Sequence, residues 1–313
     1  MNILITGSDG FLGSKITRAI QENTSWNVLG LTRTMDLVHR MQNQDTGIDL
    51  SRVQYITNEE FLHSRQADWD LYGAVHLAFS RRMQPAADIA SSINFAAAVF
   101  HKLADLHTDC VINMSSQGIY GNTPEIRTEE TLPAPETHYS MAKYASEILF
   151  NDILRDCPHH TNLRLDPVAQ SQNVLQGLIK SAKEGVINLK GGKQVFSFID
   201  ADDVPSAVIS MLKSKGDWDL VYNVGWNRKR YTLIELANLI ADETENVDYQ
   251  RPVINIENAE IFLWAGLDST KFREKTGWTP VTQLSDTVKK MLLDCGCKHL
   301  RSIWNSGKFL NWN

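Results

Sequence analysis

Short apolar runs alternate with amphipathic helical patterns along the first half of the chain. Met1–Thr6 (MNILIT) and Asn27–Thr32 (NVLGLT) have the length and composition of buried strands, and the helical pattern of Phe11–Gln21 separates them. The alternation continues with a strand at Gly73–Ala78 and a helix around Ala90–Leu106. Strands that alternate with helices in this way predict βαβ units and a parallel sheet.

The second half of the chain has a less regular pattern. Cys110–Met114 and about Tyr139–Leu154 give one more strand and helix of the first kind, whereas the strand Asn162–Pro167 is followed by a helical stretch. A glycine pair predicts a turn within Ile187–Ile199. The remaining predicted elements are a strand at Val221–Val224 and helices at Thr232–Ala241, Thr270–Lys275 and Leu284–Leu293.

These patterns predict an α/β fold with a doubly wound, Rossmann-type parallel sheet and a smaller mixed C-terminal part. We place the first domain at residues 1–161 and the smaller part at residues 162–313, with residues of about 195–225 returning to the sheet domain. The final segment, His299–Asn313, has no pattern that predicts an element.

Charge and composition restrict the class of partner. The chain of 313 residues has 37 acidic and 31 basic side chains, a net charge of −6, so it lacks the basic surplus that nucleic acids and anionic membranes attract. It contains no stretch of about 18 consecutive apolar residues, and its N-terminus has no basic segment followed by an apolar one. We therefore expect a small-molecule substrate, no nucleic-acid partner, no membrane anchor and no export signal.

The cysteine and histidine patterns predict neither disulfides nor a metal site. The cysteines are scattered apart from one C-G-C pair, and their spacing matches neither a zinc site nor a disulfide framework. Reduced thiols and a cytoplasmic location follow as expectations. No second cluster of ligands accompanies the histidines. The residues concerned are Cys110, Cys157, Cys295, Cys297, His76, His159 and His160.

Three glycines follow the first predicted strand directly. Gly7, Gly10 and Gly13 lie in TGSDGFLG, where that strand meets the next helix. Such a junction lets the backbone approach a pyrophosphate, which then faces the helix N–H groups and the positive end of the helix dipole. The spacing is G-x-x-G-x-x-G rather than G-x-G-x-x-G, and a plain glycine turn is the alternative. The place within a βαβ unit favours a dinucleotide site in residues 1–161, which leaves residues 162–313 to bind substrate.

Two further motifs have the chemistry of a catalytic site. Tyr139 and Lys143 form Y-x-x-x-K on a predicted helix, so their side chains share one face, and a nearby cation lowers the pKa of a tyrosine. Ser115 and Ser116, in VINMSSQGIYG, end a predicted strand, where open α/β sheets place the ligand crevice. A solvated helix face and a strand cap are the alternatives. The order of the motifs, after the glycine turn, favours one shared site.

That order resembles the extended short-chain dehydrogenase/reductases, which include NAD-dependent epimerases and dehydratases. SSQGIYG is similar to the S-S-x-x-V-Y-G motif of the family, FIDADDV (Phe198–Val204) to F-I-Y-V-D-D-V, and YNVG (Tyr222–Gly225) to Y-N-I-G. The segment LDSTKFREKTGWTP resembles the closing pattern D-x-S-K…L-G-W-x-P. The resemblance covers nearly the whole chain.

The resemblance implies an NAD(P)-dependent oxidoreductase in which the cofactor carries the hydride. Ser116, four residues before Tyr120, would hydrogen-bond the substrate carbonyl, Tyr139 would exchange a proton with the substrate oxygen, and Lys143 would hold the nicotinamide ribose. A homodimer through the helices around Ala90–Leu106 and Tyr139–Leu154 is also implied. The expected cofactor-binding residues are Gly7, Asp9, Gly10, Phe11, Leu12, Gly13, Thr32, Arg33, Leu77, Ala78, Tyr139 and Lys143.

The end of the second strand bears on the choice of dinucleotide. NAD-specific relatives carry an acidic residue there for the ribose 2′-OH, whereas this chain has Thr32 followed by Arg33. A guanidinium pairs with a 2′-phosphate, so we favour NADP over NAD, with a solvent-facing arginine as the alternative. NADP in turn favours a net reductase over an epimerase, because an epimerase regenerates its cofactor in every cycle.

Two departures from the family pattern concern the substrate. Gln117 and Gly118 replace the acidic residues that follow the catalytic hydroxyl in dehydratases, which disfavours a 4,6-dehydratase. Phe196 and Ser197 occupy the place of an arginine that pairs with the substrate pyrophosphate in nucleotide-sugar epimerases. Other basic residues would then have to bind a diphosphate, although each is better explained as a solvated surface charge. These residues are Arg81, Arg82, Lys190 and Lys193.

Three functional hypotheses remain open from the sequence. The leading one is reduction or epimerisation of a carbohydrate-type carbonyl or hydroxyl, with a nucleotide sugar as the expected substrate. The missing arginine favours a second, a reductase of a non-nucleotide carbonyl compound. The third is a non-catalytic dinucleotide-sensing protein, against which the set of Ser116, Tyr139 and Lys143 argues, because a sensor needs no proton donor.

Overall fold

A computed structural model describes residues 1–43, 47–65, 69–80, 84–226 and 229–294 of the chain. Cys295, Cys297 and the segment His299–Asn313 lie outside these residues. The strands are β1 Asn2–Thr6, β2 Asn27–Thr32, β3 Val53–Thr57, β4 Leu71–His76, β5 Cys110–Ser116, β6 His159–Leu165, β7 Val186–Lys190, β8 Val195–Phe196, β9 Val221–Val224, β10 Tyr231–Thr232 and β11 Val253–Glu257. The helices are α1 Phe11–Asn23, α2 Met35–Asn43, α3 Asn58–His63, α4 Ala86–Asp105, α5 His138–Ile153, α6 Asn173–Lys183, α7 Asp203–Lys213, α8 Leu233–Asn246, α9 Thr270–Thr276 and α10 Leu284–Asp294.

Seven of the described strands form one parallel sheet in the order β3-β2-β1-β4-β5-β6-β9. The predicted doubly wound, Rossmann-type sheet is therefore confirmed. The strand order reverses direction at the boundary between β1 and β4. In open α/β sheets the crevice outside the carboxyl ends of the strands at such a reversal is where ligands bind.

The apolar strands of this sheet are covered on both faces. Ile3 and Ile5 of β1 pack in one core cluster with side chains of α1 and α7, whereas Leu4 between them packs in a second cluster with Phe100 of α4 and Phe150 of α5. Alternate residues of a strand point to opposite faces, so a continuous apolar run requires helices on both sides. Burial of each such side chain contributes about 1.5–3 kcal/mol.

The chain forms two compact units. The first contains residues 1–168, 195–230 and 263–281 and holds the seven-stranded sheet, including β6, which spans the predicted boundary at residue 162. The described residues of the second unit are 169–194, 231–262 and 282–294. In it β7 pairs in parallel with β11, and α6, α8 and α10 pack together.

Several element boundaries differ from the sequence predictions. β4 begins two residues before Gly73 and ends at His76, so Leu77 and Ala78 follow the strand instead of ending it. β6 begins at His159 and ends before Asp166, and β5 continues through Ser116. α2, β3 and α3 occur between β2 and β4, where the sequence pattern predicts no element. Among the described helices, none is both long and apolar enough to cross a membrane.

Candidate active site

The glycine turn connects the carboxyl end of β1 to the start of α1. Gly7 has a left-handed backbone, with φ of +66°, and a Cβ atom there would lie 3.2 Å from the Cα atom of Ala78. A Cβ atom on Gly13 would lie 2.1 Å from the carbonyl oxygen of Gly7. Both positions therefore need glycine for the turn and the first helix to pack closely.

Gly10 has more space than the other two glycines. It is exposed, with φ of −79° and ψ of 169°, and apart from its chain neighbours the described atom near a Cβ there is the carbonyl oxygen of Gly7, at 3.0 Å. Phe11 starts α1 directly afterwards, and the first-turn N–H groups of a helix have no acceptor within it. The open side of the turn thus offers N–H donors and the positive end of a helix, which is chemistry that fits a dinucleotide pyrophosphate.

The Thr6 hydroxyl joins β1 to the residues that follow β4. Its Oγ1 accepts hydrogen bonds from the backbone N–H groups of Leu77 and Ala78, each at 3.0 Å, and lies 3.0 Å from Nδ1 of His76. Because both acceptor positions of Oγ1 are used, its own proton points to Nδ1, and the His76 proton is on Nε2. Burial and the nearby Lys143 lower the pKa of His76 to about 3, so the ring is neutral.

Thr32 and Arg33 lie at the carboxyl end of β2. Thr32 is buried and its Oγ1 donates to the carbonyl oxygen of Thr34 at 3.2 Å, whereas Arg33 is exposed. Burial raises the pKa of Asp9, on the glycine turn, and the positive charges of Arg33 and Arg40 oppose that rise. The guanidinium groups of Arg33 and Arg40 therefore act on the Asp9 carboxylate through their charge and favour its ionised form.

Ser115 and Ser116 are the last residues of β5 and point to opposite faces of the sheet. Ser116 is half-buried, and its Oγ accepts a hydrogen bond from the Gly118 N–H at 3.1 Å, which leaves its proton for another acceptor. Ser115 is 7% exposed, and its Oγ has no hydrogen-bond partner among the described residues. The accessible hydroxyl of the pair is thus that of Ser116.

Tyr139 lies in the first turn of α5. Thr137 caps this helix through a reciprocal pair of hydrogen bonds, in which its Oγ1 accepts from the Ser140 N–H at 3.1 Å and Ser140 Oγ accepts from the Thr137 N–H at 3.0 Å. A Cβ atom on Gly118 would lie 3.4 Å from Ser116 Oγ and 3.5 Å from the Cβ atom of Ser140. The capped start of α5 therefore packs beside Ser116, and its positive end favours an anion there.

Lys143 is buried one turn after Tyr139. Its Nζ donates to the carbonyl oxygen of Met114 at 2.8 Å and lies 4.1 Å from the centre of the Phe79 ring. The same ring packs edge-on against Tyr139, with 6.0 Å between ring centres. Burial lowers the pKa of Lys143 to about 7, and the Glu147 carboxylate opposes this effect. Lys143 can therefore gain or lose a proton near neutral pH.

Phe79 and Glu147, which lie near this lysine, are not among the site residues predicted from the sequence. Phe79 contacts both Tyr139 and Lys143, and its place directly after a predicted strand is the signal that identifies it. Glu147 lies four residues after Lys143 on the same helix, and this spacing predicts that the two side chains share a helix face. No local pattern predicts their partners, because these come from other strands.

A buried carboxylate lies at the carboxyl ends of β6 and β9. Asp166 is 1% exposed, its Oδ2 accepts a hydrogen bond from Ser197 Oγ at 2.7 Å, and a Cβ atom on Gly225 would lie 2.3 Å from that oxygen. Burial raises the pKa of Asp166 to about 6. The hydrogen bonds from the Ser197 hydroxyl and the Trp226 backbone N–H and the positive charge of Arg127 lower it and so limit the rise. Ser197, in the place of the family's arginine, is thus bonded to a carboxylate, an arrangement unsuited to an anion.

Other side chains singled out in the sequence lie elsewhere or bind locally. Gln117 Oε1 accepts a hydrogen bond from the Gly266 N–H at 3.2 Å. His159 and His160 begin β6, so they lie at the amino ends of the strands, whereas Ser116 lies at the carboxyl ends. Lys190 and Lys193 are exposed residues of the second unit, and Arg81 and Arg82 lie outside the described residues. Across the described ranges, no group of three or more His, Cys, Asp or Glu side chains can hold a metal ion.

A family model described as the NAD dependent epimerase/dehydratase family matches residues 3–225. The dTDP-4-dehydro-6-deoxyglucose reductase of Escherichia coli is 22% identical to the chain, over 95% of this chain and 98% of that protein. D-erythronate dehydrogenase of Cupriavidus necator is 29% identical over 50% of this chain and 51% of that enzyme.

Solved structures of nucleotide-sugar epimerases share the fold. The UDP-glucose 4-epimerase of Thermotoga maritima, solved with UDP-glucose, has a TM-score of 0.75 and 22% identity, over 97% of this chain and 100% of that one. The UDP-glucuronic acid 4-epimerase of Bacillus cereus, solved with NAD, has a TM-score of 0.76 and 20% identity, over 94% of this chain and 99% of that one.

Proposed function

The chain belongs to the NAD-dependent epimerase/dehydratase family, and from this premise we propose that it is a reductase or epimerase of a nucleotide sugar, with Ser116, Tyr139 and Lys143 as its catalytic residues. The observation that carries the proposal is the buried lysine held next to a tyrosine, both of them in contact with Phe79, at the carboxyl end of the sheet. The relatives with nucleotide-sugar names support the substrate class. The dinucleotide supplies hydride chemistry when bound.

Each catalytic residue has one role in this proposal. Ser116 donates its hydroxyl proton to the substrate oxygen, since the hydrogen bond that its Oγ accepts from the Gly118 N–H leaves this proton available. Tyr139 protonates that oxygen during reduction and takes a proton from a hydroxyl during oxidation. The charge of Lys143 favours the phenolate form of Tyr139, as does the positive end of α5.

A reductase or epimerase fits the site better than a dehydratase. Elimination of water needs a further acid or base after the catalytic hydroxyl, and Gln117 supplies a neutral amide whose oxygen is bonded to Gly266. Dehydratases occur among the relatives, such as the dTDP-glucose 4,6-dehydratase of Neisseria gonorrhoeae, 22% identical over 92% of this chain and 94% of that enzyme. The side chain at position 117 argues against the same reaction here.

The contact between Ser197 and Asp166 favours a second candidate, a reductase of a non-nucleotide carbonyl compound. Ser197 takes the place of the arginine and is bonded to the Asp166 carboxylate, whose negative charge repels a diphosphate, whereas a carboxylate accepts hydrogen bonds from hydroxyl groups. The similarity to a D-erythronate dehydrogenase supports this class of small hydroxylated substrate over half of the chain. The third hypothesis, a dinucleotide sensor, leaves the Ser116, Tyr139 and Lys143 arrangement without a purpose.

The glycine turn, the ends of β2 and β4, Tyr139 and Lys143 form the cofactor site in this proposal. The turn and the start of α1 would bind the pyrophosphate, and the N–H bonds to Thr6 fix Leu77 and Ala78 beside it. The remaining predicted contacts are those of Asp9, Phe11, Leu12 and Thr32.

We further propose NADP as the preferred dinucleotide, because Thr32 and Arg33 stand at the end of β2, where an NAD-specific relative has an acid, and a guanidinium there can pair with a 2′-phosphate. Arg33→Ala is expected to weaken NADPH binding by about tenfold, or 1.4 kcal/mol, and to leave NADH binding within about twofold. Dissociation constants for both dinucleotides, measured by fluorescence titration on wild type and variant, test the preference. Tighter binding of NADH than NADPH by the wild type would refute it.

The second unit would bind most of the substrate, and two copies of the chain would pair through α4 and α5. Met141 and Ile148 of α5 support the pairing, since they are exposed apolar side chains seven residues apart on one face of the helix. A cytoplasmic location is also proposed, and the free thiols of Cys110 and Cys157 agree with it.

Turnover by matched serine variants tests the proposed function. Ser116→Ala is expected to lower kcat by about 100-fold or more, as the loss of one oxyanion donor does. Ser115→Ala is the control, because it also removes a hydroxyl group, but from the neighbouring residue, whose side chain is buried. It is expected to retain wild-type kcat. The assay supplies UDP-, dTDP- or GDP-linked hexoses or 4-keto sugars, with nicotinamide absorbance reporting net reduction and proton NMR reporting epimerisation.

The assay also separates the candidates. A larger loss in Ser115→Ala than in Ser116→Ala would show that the catalytic hydroxyl is misassigned. If the wild type turns over a non-nucleotide hydroxy acid or ketone but none of the nucleotide sugars, the second candidate replaces the first. A protein that binds dinucleotide and converts none of these compounds would point to the sensor.

A further inference from the structure

A third charged residue lies on α5, one turn beyond Lys143. Glu147 is 2% exposed, and its two carboxylate oxygens accept hydrogen bonds from Arg164 Nε at 3.0 Å and Arg164 Nη2 at 2.6 Å. Both side chains of this ion pair are buried. Because Tyr139, Lys143 and Glu147 follow each other at intervals of four, they lie along one face of the helix.

Stability alone does not explain a buried ion pair. Removing two charges from water costs free energy that their attraction often only balances, and an apolar pair of similar size is frequently as stable. The bidentate geometry does fix the position of the carboxylate. The position of Glu147 relative to Lys143 is therefore the feature that calls for a function.

Contacts from other elements hold Arg164 in place. Arg164 lies on β6 opposite Ser115 of β5, and its guanidinium carbon is 4.6 Å from the centre of the Tyr120 ring. The Tyr120 hydroxyl donates to Asn223 Oδ1 of β9 at 2.7 Å. A cation fixed by a strand and a ring keeps the Glu147 carboxylate at one distance from the α5 lysine.

Among the residues that the structure describes, the other groups in contact with Lys143 carry no negative charge. His76 of β4 is neutral, since its ring is buried and its Nδ1 accepts a hydrogen bond from the Thr6 hydroxyl. Phe79 contributes the face of its ring, and Met114 of β5 contributes a carbonyl oxygen. Within the described part of the chain, Glu147 is thus the carboxylate that acts on the buried ammonium group.

We propose that Glu147 is a positioning residue that keeps Lys143 protonated in its buried place, and that Arg164 fixes the Glu147 carboxylate for this task. The inference deepens the proposed function, on which it rests, since it assigns the source of the charge that Tyr139 needs. Without the carboxylate, desolvation of Lys143 is uncompensated and Arg164 adds an unpaired positive charge. Both effects favour the neutral amine.

The titration of Lys143 in Glu147→Gln tests the proposal directly. The amide keeps the shape of the side chain and an oxygen for Arg164 but removes the charge. We expect the titration midpoint of Lys143 to fall by about one pH unit or more relative to wild type. The measurement is NMR of cofactor-free protein labelled with ¹³C at lysine Cε, in which the Lys143 signal is identified by its absence from Lys143→Arg.

A matched control and a second variant complete the design. Asp152→Asn makes the same chemical change on the same helix, at a side chain that is 68% exposed and paired with Arg155, and is expected to leave the Lys143 midpoint unchanged. Glu147→Gln combined with Arg164→Met removes both charges of the buried pair. Its midpoint is expected to lie between those of wild type and Glu147→Gln.

The pH profile of kcat provides an independent readout. Lys143 is active when protonated, so activity is lost as the pH rises through its pKa, and the alkaline limb should move to lower pH in Glu147→Gln. A Lys143 midpoint equal to that of the wild type in both Glu147→Gln and the double variant would overturn the proposal. If one of the two variants does not fold, an unchanged midpoint in the other is sufficient to overturn it. A shifted midpoint with an unchanged kcat profile would support the role of Glu147 and contradict the catalytic role of Lys143.

Discussion

Tyr139→Phe is expected to lower kcat by about 10²–10⁴-fold, because the phenol hydroxyl is the proposed proton donor and acceptor of the reaction. The ring itself remains, and its edge-on contact with Phe79 needs no hydroxyl group. The fold, the position of Lys143 and the affinity for dinucleotide should therefore change little. Steady-state rates and cofactor titration on the same preparation measure both halves of this expectation.

Tyr144→Phe is the matched control for this variant. Tyr144 lies on the same helix five residues further on and is half-buried, so the substitution removes the same atom outside the proposed site. It is expected to keep wild-type kcat and affinity. Substantial turnover by Tyr139→Phe would remove the tyrosine from the mechanism, and an equal loss in both variants would indicate a structural effect of the hydroxyl groups.

The central sheet could be predicted from sequence because its strands are apolar on both faces. In β1 the residues Ile3, Leu4 and Ile5 are all buried, and such a run is recognisable without knowing its neighbours. β3 was missed because its five residues, VQYIT, include a polar position and occur in a region without a clear helical period. The end of β4 was misplaced by two residues, since Leu77 and Ala78 remain apolar although their N–H groups turn to Thr6.

The candidate site was predictable only where its residues are close in sequence. The glycines of the turn, and Tyr139 with Lys143, form local patterns with a fixed spacing. Phe79 and Lys143 meet because β4 lies beside β5, and Glu147 meets Arg164 because α5 packs on the sheet next to β6. The spacing of Glu147 on the helix is visible in the sequence, but the partner that fixes its carboxylate depends on strand order.

Gly10→Val is expected to weaken dinucleotide binding at least about tenfold, or 1.4 kcal/mol, while the protein stays folded. The backbone of Gly10, with φ of −79°, is one that any residue adopts, so valine introduces no backbone strain. Its branched side chain would stand on the open side of the turn, between the N–H groups and a pyrophosphate. Valine is a poorer helix cap than glycine, which costs about 1 kcal/mol of folding stability.

Gly13→Ala separates a blocked binding site from a distorted turn. The added methyl group would lie 2.1 Å from the carbonyl oxygen of Gly7, so the turn and α1 must move apart, and stability as well as binding should fall. Gly177→Ala serves as the control, because a Cβ atom there meets nothing within 4 Å beyond its chain neighbours and its own helix backbone, so binding should not change and stability should rise by about 0.5–1 kcal/mol. Calorimetric melting and NADPH titration of the three variants give the comparison. If Gly10→Val bound dinucleotide like the wild type and had a native melting curve, the pyrophosphate could not lie against this turn, and the cofactor site would have to be sought elsewhere along the sheet edge.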